Sequence, residues 1–269
     1  MLLLMAKGKR SLQGQVALVT GAGKGIGKAI SLTLASRGVR LLAFGRNEHA
    51  IAETVGEIAF GGGEARHVVG DVRDPERVRE ACARALATWG HLDVVIANAG
   101  ISGVAPLGQG EEALAASRAI LDTNLVGTLN TFDAGLRVMQ GPGRLIALSS
   151  VLGKFGVPGY GAYCASKAGI QGLVRALAHE VAPKSITCNA ICPGWVDTDM
   201  ANVGIDAMAE AIGTTAAEAK KTALAAFPLG RFLDPDEPAE LVAFLCSSEA
   251  DGITGQALSI CGGSTAFGV

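Results

Sequence analysis

The 269-residue sequence has no excess of charge of either sign, since 23 basic and 25 acidic residues leave a net charge of −2. Without a basic surplus there is no electrostatic reason to expect a nucleic-acid partner. The sequence also lacks a hydrophobic run long enough to span a membrane, so no membrane partner is expected. The apolar start Met1-Leu-Leu-Leu-Met5 is too short for a signal sequence, and its positive charges follow it instead of preceding it. Residues 1–10 are therefore expected to form a disordered tail.

None of the six cysteines belongs to a C-x-x-C pair, and the sequence shows no internal repeat or low-complexity segment. The cysteines fall mainly in predicted strands and helices, which indicates reduced, mostly buried thiols in a cytoplasmic protein. Cys188 and Cys192 share one predicted strand but have no histidine nearby, so no metal site is predicted.

Hydrophobic residues make up 49% of the chain, enough to cover both faces of a buried parallel sheet. Seven short aliphatic runs alternate with helix-like segments, the pattern of repeated βαβ units. These runs are Val16–Thr20, Val39–Phe44, Ala65–Val69, Leu92–Ala97, Arg144–Leu148, Ile186–Ile191 and Ala257–Ile260. We predict the α/β class, with one doubly wound Rossmann-type domain over residues 11–269. Its seven-stranded sheet is expected to be mostly parallel, with helices on both faces.

A glycine-rich turn, Gly21-Ala-Gly-Lys-Gly-Ile-Gly27, follows the first predicted strand and precedes a helical segment, Lys28–Ser36. Strand, glycine turn and helix in this order are typical of a dinucleotide-binding unit, although a lone glycine-rich turn can also be an ordinary loop. The glycines permit a close backbone approach, so helix-end N–H groups can point at a pyrophosphate. The predicted cofactor contacts in this turn are Gly21, Gly23, Lys24, Gly25, Ile26 and Gly27.

Tyr163 and Lys167 are four residues apart in Gly161-Ala-Tyr-Cys-Ala-Ser-Lys-Ala-Gly169, and Ser150 precedes Tyr163 by thirteen residues. Residues four apart on a helix share one face. The Lys167 ammonium is therefore expected to lower the Tyr163 pKa and make the phenol a general acid/base. Ser150 ends a predicted strand, where its hydroxyl could hydrogen-bond a substrate carbonyl. The alternative to a catalytic role is that Tyr163 and Lys167 are surface residues that happen to be four apart.

Six ordered motifs together resemble the short-chain dehydrogenase/reductase family over nearly all of residues 12–263. They are Thr20–Gly27, Asp71-Val72, Asn98-Ala-Gly100, Asn124, Ser150 with Tyr163-Cys-Ala-Ser-Lys167, and Pro193-Gly-Trp-Val-Asp-Thr198. The resemblance implies that Ser150 polarises a carbonyl, Tyr163 exchanges a proton, and Lys167 holds the nicotinamide ribose.

The resemblance assigns the other motif residues as well. Asn124 would anchor a water that continues the proton relay, and Asp71 and Val72 would meet the adenine. Asn98, Ala99 and Gly100 would back the ribose and the glycine turn. The nicotinamide end would be held by Pro193, Gly194, Val196 and Thr198. Asn98 and Asn124 could instead cap turns, and Asp71 could simply end a strand.

The choice of cofactor depends on the residues after the second predicted strand. Gly45 stands where relatives that prefer NAD commonly carry an aspartate, which repels a 2′-phosphate. Arg46 follows it, and Lys24 lies in the glycine turn. Two cations converging on one phosphate favour NADP(H), unless both are ordinary surface charges.

The segment around residues 199–227 is expected to be a lid over the substrate, with a helix starting at the capping box Thr215-Ala-Ala-Glu218. Its apolar content suggests a hydrophobic substrate, although a helix packing on its own core would look similar. The closing segments, Pro228–Phe232 and Thr254–Gly263, are similar to those of 3-oxoacyl-thioester and polyketide ketoreductases. The loop before the fifth predicted strand is Met139-Gln-Gly-Pro-Gly143 and the helix after the tyrosine offers His179, so a carrier-protein docking patch would be weak.

The resemblance therefore predicts an NADP(H)-dependent oxidoreductase that interconverts a hydrophobic ketone and a secondary alcohol. The alternatives are an NAD-dependent alcohol, sugar or hydroxysteroid dehydrogenase and, more remotely, a dinucleotide-sensing protein without turnover. Relatives of this length usually form homotetramers through two long helices, here expected at Leu107–Met139 and Tyr160–Pro183. The second of these should bury Ile170, Leu173, Val174 and Leu177.

Overall fold

The computed structural model describes residues 12–225 and 227–266, so the tail expected at residues 1–10 lies outside the described residues. The strands are β1 (Val16–Thr20), β2 (Arg40–Gly45), β3 (Ala65–Val69), β4 (Val94–Ala97), β5 (Gly143–Leu148), β6 (Ile186–Pro193) and β7 (Ala257–Ile260). The helices are α1 (Gly25–Ser36), α2 (Glu48–Phe60), α3 (Pro75–Trp89), α4 (Glu111–Leu121), α5 (Gly127–Val138), α6 (Gly161–Val181), α7 (Asp199–Ile212), α8 (Ala216–Ala225) and α9 (Asp236–Cys246).

The seven strands form one sheet in the order β3-β2-β1-β4-β5-β6-β7. Every pairing is parallel, with Ala17 of β1 opposite Leu41 of β2 on one side and opposite Val94 of β4 on the other. The predicted seven-stranded sheet is confirmed. Because the strand order reverses beside β1, the carboxyl ends of β1 and β4 open a crevice there, the usual place for a ligand in such sheets.

Each face of the sheet carries its own hydrophobic layer, because successive strand residues point to opposite sides. Ala17 and Val19 pack with residues of α1, α2 and α9. Val16 and Leu18 pack with residues of α3, α5 and α6 on the other face. Helices therefore cover both faces, as a sheet with fully buried strands requires.

The segment predicted as one long helix, Leu107–Met139, is not continuous. Helix α4 begins only at Glu111, and a π-helical turn over Asp122–Val126 separates it from α5. π-helical turns are rare and frequently occur at functional sites. The other predicted long helix corresponds to α6, where Ile170 and Val174 are buried.

Predicted boundaries elsewhere agree within three residues. The first helix begins at Gly25 and not at Lys28, because the end of the glycine turn is itself the first helical turn. The predicted capping box is present: Thr215 Oγ1 accepts from Glu218 N at 3.3 Å, and Thr215 N donates to the Glu218 carboxylate at 3.3 Å.

All six cysteines lie within the described residues and are free thiols, and only Cys164 is more than slightly exposed. The described residues contain no cluster of potential ligands that could hold a metal ion. Nor does any of their helices combine the length and the apolar composition that a membrane span would need.

Candidate active site

The glycine turn at the carboxyl end of β1 is built for close backbone contact. Gly21 and Gly25 have φ values of +68° and +51°, which side chains rarely tolerate. A Cβ at Gly27 would lie 2.1 Å from the Gly21 carbonyl oxygen. The turn leads into α1, whose N-cap residue, Lys24, makes no side-chain cap. The first N–H groups of α1 are thus left for an anion such as a pyrophosphate, so this segment fits a dinucleotide.

Asn98 and Ala99, after β4, support the turn from behind. Asn98 Nδ2 donates to the carbonyls of Thr20 and Gly21, at 2.9 Å and 3.2 Å. Thr20 Oγ1 accepts from the N–H groups of Asn98 and Ala99 at 3.0 Å and 3.2 Å. Through these contacts Asn98 ties the ends of β1 and β4 together. They do not support the alternative that Asn98 merely caps a turn. The side chain of Ile26 packs against the hydrophobic layer formed with α1.

The two cations predicted to converge on a 2′-phosphate have separate acidic partners. Lys24 Nζ lies 3.3 Å from Asp199 Oδ2 at the start of α7. Arg46 Nη1 lies 3.9 Å from Asp71 Oδ2, while Arg73 binds the same carboxylate more closely, at 2.7 Å. The Arg73 and Arg46 guanidinium groups hold the pKa of Asp71 below its usual value.

Val72 occupies a core position. Its side chain is 5% exposed, belongs to the layer formed with α3, α5 and α6, and lies where a Cβ on Gly127 would collide with it. The Val72 carbonyl accepts a 2.9 Å hydrogen bond from Asn130 Nδ2. A contact between Val72 and an adenine stays a prediction. The Val72 carbonyl already accepts the hydrogen bond from Asn130.

Ser150, Tyr163 and Lys167 come together at the carboxyl end of β5. The Ser150 hydroxyl is close enough to the Tyr163 phenol to act on its pKa, and it accepts from Leu152 N at 3.1 Å. Lys167 Nζ lies over the Tyr163 ring, 5.6 Å from its centroid. It donates to the Leu148 carbonyl at 2.7 Å and is 5% exposed. The three side chains predicted from their spacing therefore form one cluster.

Burial dominates the electrostatics of this cluster. It raises the pKa of Tyr163 to about 12, against the smaller lowering effect of the Ser150 hydrogen bond. It lowers the pKa of Lys167 to about 8. The expectation that Lys167 lowers the Tyr163 pKa is wrong for this geometry. The physical reason is that the ammonium points to a main-chain carbonyl, while both groups lie in a poorly solvated site.

Asn124 lies in the π-helical turn, beside the cluster. Its side-chain amide exchanges hydrogen bonds with the N–H and carbonyl of Ile101, at 2.8 Å and 2.9 Å. Its Nδ2 also reaches Ser166 Oγ at 3.1 Å, and that hydroxyl donates to the Tyr163 carbonyl at 2.7 Å. The amide thus links the loop after β4 to the first turn of α6. The water predicted at Asn124 stays a prediction, and the Asn124 main-chain carbonyl accepts from Thr128 Oγ1 at 2.7 Å.

Gly100 brings this part of the site close to the cluster. A Cβ at Gly100 would lie 3.2 Å from Asn124 Oδ1 and 3.5 Å from Lys167 Nζ. The loop after β4 therefore passes directly beside both polar groups, and a larger residue would push them apart.

Three supporting residues escaped the sequence reasoning. Ser166 joins Asn124 to Tyr163, and its place inside Tyr163-Cys-Ala-Ser-Lys167 was the available signal. Gln171 Nε2 donates to Ser149 Oγ at 3.1 Å, behind Lys167. Lys154 Nζ donates to the Ala257 carbonyl and to Ser259 Oγ, at 2.9 Å and 2.8 Å, and so fastens the loop after Ser150 to β7. No local sequence motif marks Gln171 or Lys154.

The segment Pro193–Thr198 connects the end of β6 to the predicted lid. Gly194 N donates to the Ile260 carbonyl at 3.0 Å, and Val196 bridges to Leu233. Thr198 caps α7 by accepting from Ala201 N, and its methyl group lies 3.1 Å from where a Cβ on Gly25 would stand. The nicotinamide-side motif and the glycine turn thus meet at one edge of the sheet.

The described part of the predicted lid, helices α7 and α8, has a small hydrophobic core of its own. Its buried members are Ala201, Ile205, Ala209, Ala219, Ala223 and Phe232. Trp195 stacks on Phe232, with ring centroids 5.5 Å apart. Most of the apolar side chains in this segment therefore pack against one another. This favours the explanation that the segment packs on its own core over the explanation that its apolar content marks a hydrophobic substrate. The exposed large apolar residues of α7 are Met200, Val203 and Ile212.

Residues 21–265 match the family model described as Enoyl-(Acyl carrier protein) reductase. The chain belongs to the short-chain dehydrogenase/reductase family. Among curated members it is 35% identical to a 3-oxoacyl-[acyl-carrier-protein] reductase of Thermotoga maritima, over 94% of this chain and 98% of that protein. It is 37% identical to a hydroxynaphthalene reductase-like protein of Metarhizium anisopliae, over 95% and 96%.

Solved short-chain dehydrogenase/reductase structures agree with the fold. A crystal structure of an actinorhodin polyketide ketoreductase with NADPH has a TM-score of 0.87 and 35% identity, over 94% of this chain and 98% of that one. The Rossmann-type architecture predicted from the alternating pattern is confirmed. The relatives' names also support a ketoreductase type of oxidoreductase within the short-chain dehydrogenase/reductase family.

Proposed function

We propose that the chain is an NADP(H)-dependent ketoreductase that reduces a hydrophobic ketone to a secondary alcohol. The observation that carries the proposal is the cluster of Ser150, Tyr163 and Lys167 at the same sheet edge as the glycine turn. Bound reduced nicotinamide would supply the hydride. Every other element of the reaction comes from the protein.

The phenol of Tyr163 acts as the proton donor. A pKa of about 12 keeps it protonated at neutral pH. An alkoxide developing on the substrate is more basic than a phenolate, so proton transfer to it is favourable. A protonated phenol suits the reductive direction, in which the first need is an acid and not a base.

Ser150 would position the substrate carbonyl, and Lys167 would position the ribose of the cofactor. The Ser150 hydroxyl lies near enough to the Tyr163 phenol to lower its pKa, so a carbonyl oxygen placed between them would accept from both groups. Lys167 holds a fixed position through Leu148 and would donate its remaining N–H groups to the ribose hydroxyls. The N-terminus of α1 and the glycine turn would hold the pyrophosphate, with Lys24 and Arg46 near the adenosine end.

The substrate proposed is a 3-oxoacyl thioester, a polyketide or another hydrophobic ketone. Support comes from the curated and solved relatives, which include a 3-oxoacyl-[acyl-carrier-protein] reductase and a polyketide ketoreductase. The exposed apolar side chains of Phe155, Val157, Met200, Val203 and Leu229 lie in the loop after Ser150 and along the lid segment. They would offer an apolar entrance.

The test is the absorbance of reduced cofactor at about 340 nm with a panel of β-keto thioesters, free cyclic ketones and quinones. NADPH and NADH are each supplied to separate samples. We expect NADPH to be oxidised by at least one hydrophobic ketone. Turnover only with NAD and with sugars or hydroxysteroids would favour the alternative, an NAD-dependent dehydrogenase. The observation that supports this alternative is that Lys24 and Arg46 each have an acidic partner.

We further propose a homotetramer assembled through α4, α5 and α6. Val126, at the end of the π-helical turn between α4 and α5, and Leu129 on α5 are exposed apolar residues, at 40% and 44%. The six free thiols are consistent with a reducing, cytoplasmic location.

A further inference from the structure

Two consecutive residues of the glycine turn face two consecutive residues at the start of the lid. Lys24 Nζ forms an ion pair with Asp199 Oδ2 at 3.3 Å. Next to this pair, the Cβ position of Gly25 lies 3.1 Å from Thr198 Cγ2. The cofactor turn and the first residue of α7 are therefore linked by a charge contact as well as by packing.

Among the described residues, Asp199 is the polar side-chain partner of Lys24. Its backbone is extended, at φ −150° and ψ 162°, and it forms no cap on α1. The Lys24 and Asp199 side chains are 70% and 81% exposed, and ion pairs between such exposed groups are weak. The flexible lysine stem lets the ammonium turn to another anion nearby.

The charges around Lys24 are mainly negative. The groove of about 490 Å³ beside the turn is lined by Lys24 and Lys28 and by the carboxylates of Glu53, Asp197, Asp199, Asp234 and Asp236. Lys28 is engaged by Glu57 at 2.8 Å and by Glu53 at 3.5 Å. Within this groove Lys24 is thus the cation most easily redirected, and Asp199 is the anion that holds it.

We propose that Asp199 is a specificity-determining residue, because it competes with the 2′-phosphate of NADP(H) for Lys24. The inference rests on the proposed cofactor. A phosphate that recruits Lys24 must break the contact with Asp199 or accept its negative charge close by, and both effects weaken NADPH binding. NADH has no 2′-phosphate and does not face this competition. The acidic residue that restrains NADPH binding thus lies on the lid and not at the end of β2.

A double-mutant cycle tests the proposal by cofactor binding, without turnover. Wild type, Asp199→Asn, Lys24→Met and the double variant are titrated with NADPH and NADH by cofactor fluorescence. Calorimetry with adenosine 2′,5′-bisphosphate and 5′-AMP repeats the comparison without the nicotinamide. Asp199→Asn should tighten NADPH and the bisphosphate about 2- to 5-fold, the range of an exposed ion pair. Binding of NADH and 5′-AMP should stay the same.

In the Lys24→Met background the same Asp199→Asn change should have a much smaller effect, since the contested cation is gone. Asp236→Asn is the matched control, because it removes one negative charge from the same groove. It should leave the ratio of NADPH to NADH affinity unchanged.

The outcomes separate this inference from the proposed function. If Asp199→Asn changes both cofactors equally, or acts as strongly without Lys24, the competition is refuted. If Lys24→Met weakens NADPH but Asp199→Asn does nothing, the competition is refuted while the cofactor assignment survives. If wild type binds NADH as well as NADPH and Lys24→Met changes neither, the NADP(H) assignment fails, and the competition fails with it.

Discussion

Lys167 Nζ lies over the face of the Tyr163 ring, 5.6 Å from its centroid, and bonds to the Leu148 carbonyl at 2.7 Å. The ammonium is thus anchored by the end of β5 and does not touch the phenol oxygen directly. Removing Lys167 would leave the Ser150 hydroxyl near the Tyr163 phenol, where it acts on the phenol's pKa. Substitutions of Tyr163 and of Lys167 should therefore differ in their effects on turnover and on cofactor affinity.

Tyr163→Phe should lower turnover at least about 100-fold, because it deletes the proton donor and keeps the ring. Cofactor affinity, measured by fluorescence titration, should change little. A variant that retains more than a third of wild-type activity would remove Tyr163 from this role. Tyr160→Phe is the matched control, since Tyr160 is the other tyrosine of the chain and lies at the start of the same helix.

Lys167→Met should lower both turnover and cofactor affinity, because the ammonium is placed to bind the ribose as well as to orient the site. The dissociation constant of the cofactor distinguishes the two roles. An unchanged constant together with lost turnover would show that Lys167 does not contact the ribose.

Lys167 should also make stability depend on pH. Its pKa in the folded protein is about 8, below the ordinary value of 10.5, so burial of the charged form disfavours folding. This cost is fully present below pH 8 and is relieved as pH rises toward 10.5. Wild type should therefore gain stability relative to Lys167→Met over that interval, by up to about 3 kcal/mol.

Urea denaturation of both proteins at pH 7, 8, 9 and 10 provides the measurement. Taking the difference between the two proteins cancels titrations that they share. A difference that is flat across this range would mean that Lys167 keeps an ordinary pKa.

Arg46→Ala should weaken NADPH about tenfold and leave NADH nearly unchanged, because only NADPH offers a 2′-phosphate to the guanidinium. Equal losses for both cofactors would make Arg46 a bystander. Adding Gly45→Asp should shift preference further toward NADH. The Cβ of that aspartate would lie 3.1 Å from Ile51 Cγ2, so the isoleucine must move slightly to admit it.

Leu129→Glu should split the proposed tetramer, because it places a charge on an exposed apolar position of α5. Light scattering should report a mass below that of wild type. Phe60→Ser, at a position 97% exposed on the distant end of α2, should leave the mass unchanged. A wild-type mass near 27.3 kDa would rule out the assembly altogether.

Local patterns in the sequence were enough to predict the sheet and the proximity of Tyr163 and Lys167. Parallel strands such as Val16–Thr20 are buried on both faces and read as continuous aliphatic runs, so their bounds could be predicted closely. Tyr163 and Lys167 share a helix, and their proximity follows from helical spacing alone.

Features that depend on contacts between distant segments could not be predicted in this way. The π-helical turn at Asp122–Val126 places Asn124 against Ile101, and no residue pattern marks its extra residue. The ion pair of Lys24 with Asp199 joins residues 175 positions apart. The direction of the Lys167 ammonium likewise depends on the carbonyl at the end of a separate strand.

The separate core of α7 and α8 also bears on how this enzyme could change over evolution. Ile205, Ala219 and Phe232 stabilise the lid without drawing on either layer of the sheet. Substitutions at the exposed residues Met200, Val203 or Ile212 should then leave the free energy of folding of the main domain the same, and under the proposed lid role they would alter which ketone enters the cleft. Selection for a new ketone could therefore act on a short stretch of chain, and libraries randomised at these three positions should yield folded variants in high proportion.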